Sequence, residues 1–268
     1  MFSLLQFDGP VLFAVVCVIL FAGLVHGTLG LGFPMVATPI LATMMDVRSA
    51  ILITLLPTMA VNIASIANGR ASLASTRPFV PLILFTLLGS IAGASVLAFT
   101  DPAPFRIVLA SLILLYLWSS LRISRQWLED NSLLAMAGFG IAAGLAAGTT
   151  NVMVAVLIIY FLSLGTARTT MVPTLNACFL AGKGSQIAVL AIAGFVGPGL
   201  LLETAPLALA AVLALLAGQR LQPRIQVSTY QAILRKLLLL LAAILIYQFM
   251  HESSLISWLI EDPAAAGG

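Results

Sequence analysis

Charge is what this chain has least of: only 8% of its 268 residues are Asp, Glu, Lys or Arg, against about 25% in a typical soluble domain. So little charge cannot solvate a folded surface, which excludes a soluble domain. Cysteine is almost absent as well. Cys17 and Cys178 both lie in apolar runs, giving neither a disulfide framework nor metal-ligand spacing, so no metal and no other cofactor is expected. No Asp or Glu falls in the middle of a long apolar segment, and a carboxylate relay of the kind many proton-driven carriers use is therefore missing. Catalytic signatures are lacking too. There is no G-x-S-x-G, no paired intramembrane Asp, and HESSL at His251 lacks the second His of H-E-x-x-H. The chain is not expected to be an enzyme.

What remains is hydrophobicity. Apolar residues make up 61% of the chain and the mean hydropathy is +1.15, the mark of an all-α polytopic membrane protein. Runs of roughly 20 apolar residues recur throughout, so residues 1–268 read as a single membrane domain. MFSLLQFDGP at the start carries Asp8 and no Lys or Arg, so it lacks the basic region of a cleaved signal peptide, and the first apolar segment is expected to stay. The net charge of +3 comes from basic residues in short loops. It reports orientation, not a nucleic-acid partner; the expected partners are the lipid bilayer and a small anionic solute, with a homodimer as a further candidate.

One stretch organises the rest. In HGTLGLGFPMVATP, from His26 to Pro39, three glycines and two prolines interrupt a segment otherwise apolar enough to cross a membrane. They break a helix, and freed backbone at membrane depth is tolerated only where it is buried in protein or lines a cavity. The runs on either side, Val11 to Gly32 and Val36 to Met45, read as a broken or re-entrant pair. Helices are expected at about Ala50 to Ala67, Pro78 to Phe99 and Pro104 to Leu121. From Ser132 the pattern restarts: a run to Gly148, the polar interruption Thr149-Thr150-Asn151, and a short run from Val152 to Leu164. Three more segments follow, about Thr169 to Phe195, Glu203 to Leu216 and Tyr230 to Met250. Gly27-Thr28 matches Gly148-Thr149, and LLPT at Leu55 to Thr58 matches MVPT at Met171 to Thr174. The chain therefore reads as two repeats, about 1–122 and 131–252, each a broken pair followed by three transmembrane helices.

Placing Arg70, Arg77, Arg122, Arg125, Arg220, Arg224, Arg235 and Lys236 in the cytoplasm satisfies the positive-inside rule and leaves Asp101, Glu203 and both termini outside. Each broken pair then starts and ends on one side, and each following trio crosses an odd number of times. The second repeat is thus expected to be inverted, the arrangement that places a carrier's site at the repeat interface.

Polar groups at membrane depth are the functional candidates. Lys183, between Gly182 and Gly184, is the strongest: about 14 residues into its helix, it lies roughly 21 Å along it, too deep for easy snorkelling, and could attract an anion. Arg48 and Arg168 occupy corresponding places after the two broken pairs and offer planar forks suited to oxyanions. Thr28, Gly30, Gly32, Thr149, Thr150 and Asn151 lie at the breaks, where free backbone N–H groups at helix starts attract anions. Asn176 and Gln186 add amides, as Asn62 and Ser185 add further polar groups, and His26 is a candidate for proton coupling because imidazole titrates near neutral pH. The plain alternatives are loop charge, helix capping and interhelical hydrogen bonds.

GTLGLGFPMVATPIL, the LLPT helix, the basic stretch ANGRASLASTRPFVPLILFTLLGSIAGA and a Pro-led fourth helix together resemble the TauE/SafE family of sulfite exporters, of the toluene sulfonate uptake permease superfamily. Gly27, Gly30, Gly32 and Pro39 fit the family's glycine-rich stretch, whereas Phe33 stands where a further glycine is usual and GTTN replaces the second glycine-rich stretch. The resemblance implies a secondary transporter in a bacterial inner membrane, exporting small sulfur-containing anions such as sulfite, sulfoacetate or other organosulfonates. An anion channel of the same fold and a carrier of small carboxylates are the alternatives.

Overall fold

The computed structural model describes residues 4–68, 73–122, 132–222 and 227–252. Arg70, Arg125, Glu129, Asp130, Arg224 and the acidic tail lie outside them. Among the described residues there is no strand. Ten α-helices are present: α1 (Gly9–Leu29), α2 (Phe33–Ala42), α3 (Val47–Asn68), α4 (Val80–Phe99), α5 (Phe105–Arg122), α6 (Leu133–Thr150), α7 (Val154–Ser163), α8 (Arg168–Ile192), α9 (Pro198–Leu221) and α10 (Val227–Glu252). The protein is an all-α polytopic membrane protein. Seven helical stretches are long and apolar enough to cross a bilayer, whereas α2 and α7 have ten residues each, about 15 Å of helix, or half a crossing.

Helix starts follow local chemistry. Proline stands in the first turn of α1, α2, α4 and α9, where its missing N–H costs nothing and its fixed φ suits the helix. Ser132 caps α6 by accepting from the Ala135 N–H at 3.2 Å, and the Asp46 carboxylate accepts from Ser49 N–H at 3.0 Å at the start of α3. The Gly197-Pro198 start makes α9 five residues longer at its N-terminus than the apolar run from Glu203 suggests.

The surface is inverted relative to a water-soluble protein. Leu84, Leu134, Ile192, Leu202 and Leu213 point outward, while His26, Asn62, Asn151, Asn176, Lys183 and Gln186 are buried. That distribution suits lipid outside and a polar interior.

Close contacts fix the relative directions of the helices. Gly23 abuts Ala211 and Ala214, and Gly27 abuts Leu215 and Gly218, so α1 and α9 run parallel. Gly89 meets Ile141, and Gly93 meets Leu145 and Gly148, so α4 and α6 do likewise. His26 near the end of α1 reaches Ser65 near the end of α3, and Gln186 late in α8 reaches Ala147 and Gly148 late in α6. Arg48 at the start of α3 reaches Leu97 and Thr100 at the end of α4. Helices α1, α3 and α9 therefore run one way, and α4, α6 and α8 the other.

The two parallel seams depend on missing side chains. A Cβ on Gly27 would come within 2.1 Å of the Leu215 carbonyl oxygen, and one on Gly144 within 2.2 Å of the Thr86 carbonyl oxygen. Gly138, on the same helix as Gly144, has nothing within 4 Å. Gly144→Ala is therefore expected to lower thermal stability in detergent by on the order of 1–3 kcal/mol, the cost of overpacking. Gly138→Ala should be neutral or stabilising by up to about 1 kcal/mol, because alanine is the better helix former. Tryptophan fluorescence melts of the two variants check this; equal melts would show that the α4–α6 seam is not held by backbone contact.

Candidate functional site

Each broken pair leaves the carbonyl end of a helix inside the molecule, and such an end carries unpaired acceptors and the negative pole of the helix dipole. At the first break, α1 closes on Gly30 at φ 81° with the Gly30 N–H on the His26 carbonyl at 2.7 Å, and Gly32 at φ 103° turns the chain into α2. Both are left-handed positions that glycine adopts freely. Two groups from α8 meet this end. Arg168 Nη2 donates to the Leu29 carbonyl at 2.7 Å and Asn176 Nδ2 to the Gly30 carbonyl at 3.3 Å.

At the second break the left-handed residue is Asn151, at φ 70°. Its backbone N–H returns to Ala147 O at 3.1 Å, and its amide nitrogen donates to the hydroxyls of Thr38 in α2 and Thr54 in α3, each at 3.0 Å. The end of α6 is again met from α8, because Gln186 Nε2 donates to the carbonyls of Gly148 at 2.9 Å and Ala147 at 3.3 Å. Gln186 Oε1 in turn accepts from the Lys183 ammonium. Lysine has donors only, so the oxygen of Gln186 must face it and the amide nitrogen must face the carbonyls. Lys183 is 1% exposed, and among the described residues Gln186 is its one hydrogen-bond partner and no carboxylate pairs with it.

Helix α8 thus gathers both breaks. Asn176 and Lys183 are seven residues apart on it, about 10 Å along the axis. The expectation of donors at helix starts is corrected in one respect. Thr28, Thr149 and Thr150 lie in the last turns of α1 and α6, and their hydroxyls donate back to Val25, Leu145 and Ala146 carbonyls at 2.9, 2.7 and 2.8 Å. A threonine within a helix finds the carbonyl three or four residues earlier nearer than any other acceptor. Arg48 stands apart from both breaks. Its guanidinium donates to the Leu97 carbonyl at 3.1 and 2.8 Å and to that of Thr100, closing the end of α4, and lies 4.8 Å over the Phe195 ring beside a cavity of about 340 Å³.

Sequence reasoning missed Thr38, Thr54, Thr58, Ser65 and Ser90. Ser90 Oγ in α4 donates to the Gly182 carbonyl at 2.8 Å, beside Lys183. The signal for the α3 group was present, since Thr54, Thr58, Asn62 and Ser65 fall at i, i+4, i+8 and i+11, one face of a helix.

The family model for the sulfite exporters TauE/SafE matches residues 15–246, which holds both breaks and all of α8. The chain belongs to the TauE/SafE family. No curated protein and no solved structure matches it. As a TauE/SafE member it is a multi-pass membrane transporter of sulfur anions, in keeping with the reading that it is not an enzyme.

Asn151 separates two contributions, backbone and side chain. Asn151→Gly keeps the left-handed turn and loses the bonds to Thr38 and Thr54; Asn151→Ala loses both. The alanine variant should be less stable than the glycine variant by about 1–2 kcal/mol, the cost of φ > 0 for a residue with a Cβ. Paired thermal melts give the difference, and equal stabilities would remove the turn from the account.

Proposed function

We propose that this TauE/SafE member exports small sulfur-containing anions such as sulfite, sulfoacetate or other organosulfonates across a bacterial inner membrane. The site lies between the two breaks, with Lys183 as its fixed charge. What carries this reading is the setting of Lys183: a buried side-chain amine whose partner is a neutral amide. A buried cation without a counter-charge is costly. The α6 end, reached through Gln186, offsets part of that cost through its dipole, and a sulfonate or sulfite oxyanion would supply the rest. Two ammonium hydrogens remain for it beyond the one given to Gln186.

Alternating access is supported by the helix directions. The counterparts α1 and α6, α3 and α8, and α4 and α9 each run oppositely, which is what inverted repeats require, and carriers of that kind place their site where the repeats meet. With basic loops in the cytoplasm and both termini outside, the broken pairs enter from opposite faces.

Lys183→Ala and Lys183→Gln should each weaken sulfite or sulfoacetate binding ten- to a hundredfold, the loss of one charge-assisted contact of about 1.5–3 kcal/mol. Thermal shift against sulfite, sulfate, sulfoacetate and simple carboxylates measures it. Unchanged binding would remove Lys183 from the site, and shifts with carboxylates alone would end the sulfonate reading. In proteoliposomes, unlabelled sulfite on the far side should accelerate uptake of labelled sulfite; ohmic single-channel current in place of this counterflow would sink the carrier mechanism.

A further inference from the structure

Three helix ends meet at one end of the bundle. Helix α3 starts there, and α4 and α8, which run the other way, end there. Between them lies the cavity of about 340 Å³ beside Arg48. Asp46, Arg48 and Ser49 line it from the start of α3, with Leu52 one turn further in, and Phe195 lines it from beyond the end of α8. It is a different place from the anion site proposed above. Ala193 in its wall closes α8 ten residues past Lys183, about 15 Å along the axis.

Two charges of opposite sign share this cavity, and they form no ion pair with each other. Each is turned to a helix end of its own. The Asp46 carboxylate accepts from Ser49 N–H at 3.0 Å and from Ser49 Oγ, capping α3. On Arg48, the Nε and Nη2 hydrogens go to the Leu97 and Thr100 carbonyls, and the guanidinium carbon lies 4.8 Å from the centre of the Phe195 ring. Nη1 has no hydrogen-bond partner among the described residues, so its hydrogens are free, and the Asp46 oxygens keep lone pairs beyond those given to Ser49. A carboxylate and a guanidinium in one pocket ordinarily close on each other. Here their bonds to Ser49 and to the α4 carbonyls hold them apart. We propose that the cavity is a binding site for a small zwitterion, its oxyanion end on Arg48 Nη1 and its ammonium end on Asp46.

The arrangement selects against simpler ions. An anion drawn to Arg48 meets the Asp46 carboxylate, and a cation drawn to Asp46 meets the guanidinium. A solute with both charges gains from each. Because both side chains are already fixed by their helix ends, little rotamer freedom is lost on binding. Leu52 and Phe195 offer apolar wall to a short carbon spacer between the charges. The volume lies near the lower end of the range for ligand pockets, roughly 300–1,000 Å³, which suits a short-chain amino acid or amino sulfonic acid. The inference goes beyond the sulfur-anion reading, since the two sites differ in place and in the charge they select.

The probes are 3-aminopropanoate and 3-aminopropanesulfonate, set against propanoate, propanesulfonate and propylamine, which keep one charge each. Saturation-transfer NMR titrations of the full-length protein in nanodiscs read their affinities, and comparing the two zwitterions tells a carboxylate end from a sulfonate end. The zwitterion that binds should do so at least about tenfold more tightly than its single-charge analogues, the effect of one further charge-assisted contact. Asp46→Asn keeps a capping side chain on α3 and removes the charge, and should bring the zwitterion down to the level of its amine-free analogue. Ala193→Leu leaves both charges, adds bulk to the cavity wall and should block the zwitterion. Lys183→Ala should leave zwitterion binding unchanged. Analogues that bind as well as the zwitterions, no saturable binding of either zwitterion, affinity unmoved by Asp46→Asn, or affinity lost with Lys183→Ala would each overturn the proposal. If Asp46→Asn fails to fold, Ala193→Leu and the analogue series decide. Sulfite binding is read on Lys183 and zwitterion binding on Asp46, so the two sites fail separately.

Discussion

Two helices of this protein end buried in its interior, and donors from other helices answer their last carbonyls. Lipid offers those oxygens nothing, so donors must come from protein. Helix α8 supplies them for both: Arg168 and Asn176 at the end of α1, Gln186 with Lys183 behind it at the end of α6. Cations suit such positions because the helix dipole is negative there. Arg48 applies the same chemistry at the end of α4. Arg48 and Arg168 are thus held directly by backbone carbonyls, whereas Lys183 reaches a helix end only through the Gln186 amide.

Much of this was legible in the sequence, for a physical reason. Gly30, Gly32 and the prolines announce a break because a backbone that cannot continue a helix says so locally, and the matching LLPT and MVPT segments locate the next helix in each half. Lys183 stood out because lysine at that depth has few explanations. What did not show was which group each polar residue faces. Thr28, Thr149 and Thr150 look like free donors beside a break, yet a nearby carbonyl of their own helix claims each hydroxyl. Asn151 and Thr38, 113 residues apart, meet only because the two halves fold onto each other. Arg48 and Arg168 look equivalent in sequence; one closes α4 against Phe195, the other closes α1.

The breaks themselves are alike in shape and unlike in chemistry. Gly30 and Asn151 adopt the same left-handed turn, but glycine leaves its break to be held from outside, by His26 and α8, whereas Asn151 adds side-chain bonds of its own to α2 and α3. Asparagine tolerates that backbone region better than most residues with a side chain. The second half therefore carries its own brace. The first half relies on His26 and on donors from α8.

The glycine seams set the mechanics. Helix α4 lies against α6, and α1 against α9, with glycines bringing backbone to backbone at most of the close contacts. In each seam one partner comes from the first half of the chain and the other from the second. Parting the first half of the chain from the second would therefore mean prising apart two seams packed too closely to admit a Cβ.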